Sequence, residues 1–333
     1  MKEKIWGILV HLSRNMWHSN HYTALTFDEE MWEYILKESV NTGINTIVLD
    51  VGDGVQFASH PEIAIDGAWS RKRVREEVKR CKDLGIALIP KLNFSTAHDF
   101  WLGEYARMVS TTKYYQVCND LIKESYELFG HPEYIHLGFD EEDARNVSGH
   151  EYAVFRQKEL FWHDLNFMLD CVADTGARPW IWSCPLLNHP EEYKKHVGAK
   201  DAVLSPWYYN AIREDHWTPV GDNPDYLAYF RQDIFKGLDI KFLEEDPFLV
   251  KFRKLALPLM EEGYDYIPCA SVYNRMDWNT SDLVEYFRDN APDEQILGYM
   301  TAPWCATLPT ERSKKYFEES FRFLKEAKEK FYG

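Results

Sequence analysis

Cations are scarce in this chain. Lys and Arg number 38 against 54 Asp and Glu, a formal net charge of −16 over 333 residues. Such a surface repels phosphates, which excludes nucleic acid and an anionic membrane surface as partners. No apolar run approaches the roughly 20 residues needed to cross a bilayer. The run that opens the chain, Ile5-Trp6-Gly7-Ile8-Leu9-Val10, is short and lacks a small-residue cleavage site. It reads as a strand and not a signal peptide, and a cytoplasmic location is the expectation that follows. The six cysteines (Cys81, Cys118, Cys171, Cys184, Cys269 and Cys305) include no C-x-x-C pair. They read as small buried hydrophobes, with no disulfide frame or zinc site expected. His-x-His and His-Glu-x-x-His spacings are missing too, so no metal centre or other cofactor is predicted.

Repeats, low-complexity tracts and linker-like stretches are also lacking, and the chain reads as one domain over residues 1–333. Aromatics are plentiful at 15% of the residues, including 12 Trp. Flat apolar faces suit sugar rings, although large α/β cores consume aromatics as well. Eight short apolar runs, at 5–11, 45–51, 86–92, 134–139, 179–184, 202–207, 265–272 and 296–301, alternate with segments of helical periodicity. Those helices are expected near 28–41, 71–84, 114–129, 151–175, 190–197, 248–262 and 310–331. The pattern predicts an α/β fold, a (β/α)8 TIM barrel. A doubly wound sheet is disfavoured because no Gly-rich phosphate turn follows the first run. A long insertion at about 208–247 exceeds an ordinary loop and is placed to cover a site or meet another subunit.

Barrels carry their chemistry at the C-terminal ends of strands. There the sequence sets Arg14 and Trp17 after the first run, Asp50 and Asp53 after the second, Asn93 and His98 after the third. Asp140 and Glu141 follow the fourth, Trp182 lies in the fifth, and Trp207 with Tyr208 ends the sixth. Tyr273, Asn274, Asp277 and Trp278 follow the seventh, and Trp304 the eighth. The fourth run ends in four acids, Asp140-Glu141-Glu142-Asp143. Adjacent carboxylates repel, which raises the proton affinity of one and yields the acid and base that glycoside hydrolysis needs. The same four acids also suit a helix start, and Glu142 and Asp143 read as solvated residues of that kind.

His136-Leu137-Gly138-Phe139-Asp140-Glu141 resembles the His-x-Gly-Gly-Asp-Glu motif of the β-N-acetylhexosaminidases of glycoside hydrolase family 20. Ser13-Arg14-Asn15-Met16-Trp17 is similar to that family's first strand end, Asp53 to an Asp after its second, and Thr96-Ala97-His98 to its Pro-Gly-His. Trp182, Trp207, Tyr273 and Trp304 stand where the family has its strand-end Trp, Trp, Tyr and Trp. The likeness runs in order from about residue 5 to residue 304. Departures from the family pattern include Phe139 in place of the second Gly, and Ala306 where an acidic residue is expected.

The resemblance implies substrate-assisted retaining hydrolysis that releases terminal N-acetylhexosamine, without cofactor or metal. In that scheme the catalytic residues are Glu141, as general acid and then base, and Asp140, which orients the acetamide. Arg14, Asp53, His98, Trp182, Trp207, Tyr273 and Trp304 would bind the carbohydrate. Read singly, Arg14 equally suits a salt bridge, Asp53 a turn, His98 a cap, and the indoles and Tyr273 core packing. Two alternatives stay open. One is a two-carboxylate glycosidase of different sugar specificity, pairing Asp140 or Glu141 with Asp53 or Asp50. The other is a catalytically degenerate carbohydrate-binding barrel, suggested by Phe139 and Ala306.

Overall fold

Alternation along each apolar run decides the architecture. In the computed structural model, which describes residues 3–17, 21–147, 149–210, 252–253, 256, 258–274 and 277–333, successive strand residues face two separate cores. Leu9, Val48, Ile89, Trp180, Val203, Ile267 and Met300 meet inside a curled sheet. Their neighbours Ile8, Ile47, Leu88, Ile181, Leu204 and Tyr299 pack outward against helices. Strands buried on both faces are the mark of a parallel sheet covered by helices. Each fully buried aliphatic side chain contributes roughly 1.5–3 kcal/mol.

The strands are β1 (Ile5–His11), β2 (Thr46–Asp50), β3 (Ala87–Lys91), β4 (Tyr134–His136), β5 (Arg178–Trp182), β6 (Val203–Ser205), β7 (Asp265–Tyr266), β8 (Cys269–Ala270) and β9 (Gly298–Thr301). They form one parallel sheet in the order β7-β6-β5-β4-β3-β2-β1-β9-β8. The helices described from end to end are α1 (Glu29–Thr42), α2 (Arg71–Asp83), α3 (Thr112–Leu128), α4 (Ala144–Val147), α5 (Glu159–Ala173), α6 (Cys184–Asn188), α7 (Pro190–His196), α8 (Asn279–Asn290) and α9 (Glu311–Tyr332). Local chemistry sets their ends. Asp28, Ser70, Thr111 and Thr310 each accept a backbone N–H of the first turn. Gly43, at φ 71°, closes α1 by donating to the Ser39 and Val40 carbonyls.

Two sequence expectations need correction. The seventh run is two short strands and not one, broken at Ile267-Pro268, where proline has no N–H to give. The break does not release the segment on either side. Ile267 and Cys269 donate to the carbonyls of Leu204 and Pro206, while Leu297, Met300 and Ala302 donate to those of Tyr266, Pro268 and Ala270. The long helix expected at 151–175 begins only at Glu159, with Lys158 at φ 52° before it. The preceding stretch is drawn instead over the end of β4 by Arg156, whose side chain is fully buried among acids. Helix α8 and the short α6 were not foreseen. The insertion expected at about 208–247 and much of the 248–262 helix lie outside the described residues. No helix among the described residues is long and apolar enough to cross a membrane.

Candidate active site

The ladder continues past β4. Leu137 donates to the Trp180 carbonyl, and the Gly138 carbonyl accepts from Trp182. The backbone then turns left-handed at Gly138 (φ 76°), Phe139 (φ 62°) and Glu141 (φ 56°). For the two residues with side chains, that conformation costs about 1–2 kcal/mol each. The turn sorts the side chains. Phe139 goes outward, packing edge-on to Phe161 of α5 under the Arg156 guanidinium and away from the acids. Asp140 and Glu141 are left to face the segment after β3.

Several groups hold this turn. The Asn93 amide donates to Asp140 Oδ1 at 2.9 Å, and the Ser95 hydroxyl donates to the Asp140 carbonyl. Glu142 is not the solvated residue expected. Its side chain is 5% exposed, ion-paired with Arg156, and accepts the Thr96 N–H at 3.2 Å. Arg156 also donates to the Phe94 carbonyl and lies 3.6 Å from Asp164, tying the loops after β3 and β4 to α5. Asp143 is exposed, as expected.

His98 completes the cluster. Its Nε2 lies 3.4 Å from Asp140 Oδ2 and 3.2 Å from Glu141 Oε2. Burial opposes a charged imidazole, but the charges of Asp140 and Glu141 outweigh it, and the histidine keeps its proton above the ordinary value. The His98 and Asp140 side chains are each 12% exposed and that of Glu141 37%, so Glu141 is the most exposed of the three.

Aromatic rings stand beside this group. Trp182 and Trp304 lie 5.7 Å apart, Trp304 is 6.3 Å from Tyr209, and Tyr209 stacks on Trp207 at 5.0 Å. The Cys184 thiol lies between the wall and the acids, close to Asp140, Glu141 and Trp207. Burial first, then the Asp140 charge, push that thiol up to about 12. Tyr209 was missed, and Tyr208 was named instead. Tyr208 packs outward on Phe252, whereas Tyr209 shares the face of Trp207, as residues two apart on an extended segment must.

Asp53 is buried and accepts from the Ser13 hydroxyl and from Asn15 Nδ2 at 2.7 Å, with burial raising its proton affinity against those bonds. Asn15 in turn bonds the Tyr22 backbone, and Arg14 lies over the Tyr22 ring at 4.3 Å. Asp53 thus secures the loop that carries Arg14. Tyr273 is 50% exposed on the segment after β8.

One register level of the sheet is polar throughout. His11 pairs with Asp50, Asp50 with Lys91, and Lys91 with His136 across β1 to β4. All four are buried, and Lys91 forms an ion pair with Asp50. Asp50 is therefore committed to a cation and does not stand free as a second catalytic carboxylate.

No family model and no curated protein matches the chain. Solved structures do. The structure is similar to a family 20 exo-β-N-acetylglucosaminidase from Vibrio harveyi in complex with N-acetylglucosamine (14% identity, TM-score 0.60, 98% of this chain and 54% of that one). It is also similar to Streptomyces plicatus N-acetyl-β-hexosaminidase in complex with thio-NAglucal (12%, 0.60, 96% and 62%). A β-N-acetylhexosaminidase from Bacteroides fragilis gives 12%, 0.59, 97% and 65%. The fold is like that of the family 20 β-N-acetylhexosaminidases. The chain spans about half to two thirds of the length of these family 20 proteins.

The turn at β4 makes a direct prediction. A Cβ on Gly138 would fall 1.9 Å from Asn93 Oδ1 and 3.0 Å from its Cα, at a φ of 76°. Gly138→Ala is expected to lose about 1–2 kcal/mol from the backbone alone, with the Asn93 clash added. Gly149→Ala, with open space around it, should stay within about 0.5 kcal/mol of the parent. Urea unfolding of both variants checks the contrast.

Proposed function

We propose that the chain is a glycoside hydrolase of the β-N-acetylhexosaminidase type, a single (β/α)8 domain that releases terminal N-acetylhexosamine. Barrel closure is supported by the hydrogen bonds on both sides of residues 265–270. The observation that carries the function is the Asp140–His98–Glu141 cluster at strand ends, beside a wall of indoles. The 2-acetamido oxygen of the substrate attacks its own anomeric carbon as the glycosidic bond breaks. Glu141, the more exposed acid, gives its proton to the departing oxygen. Asp140, fixed by Asn93, accepts the acetamide N–H and stabilises the positive oxazolinium. Glu141 then takes a proton from water, which opens the ring at the anomeric carbon with overall retention. Trp182, Trp207 and Trp304 receive the apolar sugar face and the acetamide methyl. Tyr209 is better placed than Tyr273 to donate to the acetamide oxygen. Arg14, on the loop secured by Asp53, reaches for ring hydroxyls.

A panel of aryl β-glycosides with and without the 2-acetamido group tests the mechanism. Replacing that group by hydroxyl is expected to lower kcat/KM at least about a hundredfold, since it removes an intramolecular nucleophile. Equal rates would point to an enzyme nucleophile. Binding of N-acetylhexosaminides without any turnover would point to a carbohydrate-binding barrel.

A further inference from the structure

We propose that His98, Asp140 and Glu141 also form a site for a divalent transition metal, Zn2+ above all, and that metal bound there silences the acid. The silencing rests on the hydrolase reading; the binding does not. Zn2+ holds nitrogen and oxygen ligands at about 2.0–2.2 Å, which sets tetrahedral ligand atoms about 3.3–3.5 Å apart. His98 Nε2 lies 3.4 Å from Asp140 Oδ2 and 3.2 Å from Glu141 Oε2, and the three ligand atoms all fall within 4.8 Å of one another. The spacing therefore accepts a cation at the centre with only a turn of the Glu141 side chain, which its exposure permits. Asn93 bonds the far oxygen of Asp140 and leaves Oδ2 aimed at the imidazole, the outer contact by which proteins orient a ligating carboxylate. One imidazole with two carboxylates suits zinc, whereas magnesium and calcium take oxygen ligands alone. Three protein ligands leave a fourth position open. The sequence hid this site because the ligands come from two loops, at 98 and at 140–141, with no short spacing to betray them.

A second grouping supplies the control. Glu159, Glu192 and His196 have similarly close ligand atoms. That group is largely exposed, and Lys195 already pairs with both glutamates. Calorimetric titration of the full chain with ZnCl2 is the test, alongside melting curves with and without the metal. The expected result is one equivalent bound by the wild type and by His196→Ala, with a raised Tm for both. His98→Gln, which keeps a hydrogen-bonding group in place, should bind at least about a hundredfold more weakly, beyond the loss typical of an outer contact, and show no shift in Tm. Hydrolysis by the wild type should fall with zinc and return with a chelator. Unchanged affinity in His98→Gln, loss in His196→Ala instead, or no binding by the wild type would each overturn the site. If no glycoside is turned over, the hydrolase reading fails while the titration still reports on the metal.

Discussion

Glu141→Gln is expected to lower kcat by about a hundredfold to ten-thousandfold on an N-acetylhexosaminide with a poor leaving group. The same variant should lose far less on an aryl glycoside whose leaving group departs without a proton. Gln keeps the shape of the side chain and can bond His98, so KM should change by no more than severalfold. The split between leaving groups is what identifies an acid. A residue that only shapes the pocket would slow both substrates alike, and equal losses would remove Glu141 from that role. Retained binding in the variant should also make it useful for trapping substrate. Steady-state kinetics on the two substrates, with retention read from the anomer first released by the wild type, are the measurements.

Much of this arrangement was legible in the chain because strand ends announce themselves. Each buried run stops where polar residues begin, and parallel strands deliver those residues to one end of the sheet. The order of Arg14, Asp53, His98, Asp140 and Trp182 could be read without knowing any distance. What escaped depends on which way a side chain turns after the strand ends. Three left-handed residues in four, at 138, 139 and 141, send Phe139 outward, and no propensity predicts that for a phenylalanine. Arg156 gave no signal at all, since its partners Glu142 and Asp164 lie on either side of it in sequence and meet it only in the folded chain. Tyr209 was within reach of simple parity from Trp207. Tyr273 was assigned from resemblance, and its exposure sets it apart from the indole wall.

The polar level beneath the acids yields the second large effect. Lys91→Met is expected to destabilise the fold by about 3–5 kcal/mol, because it strands the Asp50 carboxylate in the interior without its cation. Asp50 and Lys91 are each about 1% exposed, and His11 Nδ1, at 3.5 Å, is the other group on the carboxylate. In the wild type, burial holds the His11 proton affinity below the ordinary value despite Asp50, so Lys91 is the principal cation of the pair. His136 is lowered further, by burial and then by Lys91. Removing both charges, as in Lys91→Met with Asp50→Leu, should recover most of the loss, since an apolar pair has no ion to desolvate. The pH dependence has a definite sign. Burial would raise the Asp50 carboxyl, but Lys91 and His11 bring it down to about 2, below the usual aspartate range. The wild type therefore holds this stabilisation above the ordinary aspartate range and loses it as pH falls toward 2. In Lys91→Met the carboxyl takes up its proton earlier, so the gap between the two proteins should narrow on acidification. Urea unfolding across that range checks it, and a gap that widens toward low pH would refute the buried pair. The charge also reaches upward: Lys91 opposes the proton on His98, so its loss should hold that imidazole charged to higher pH beside Asp140 and Glu141.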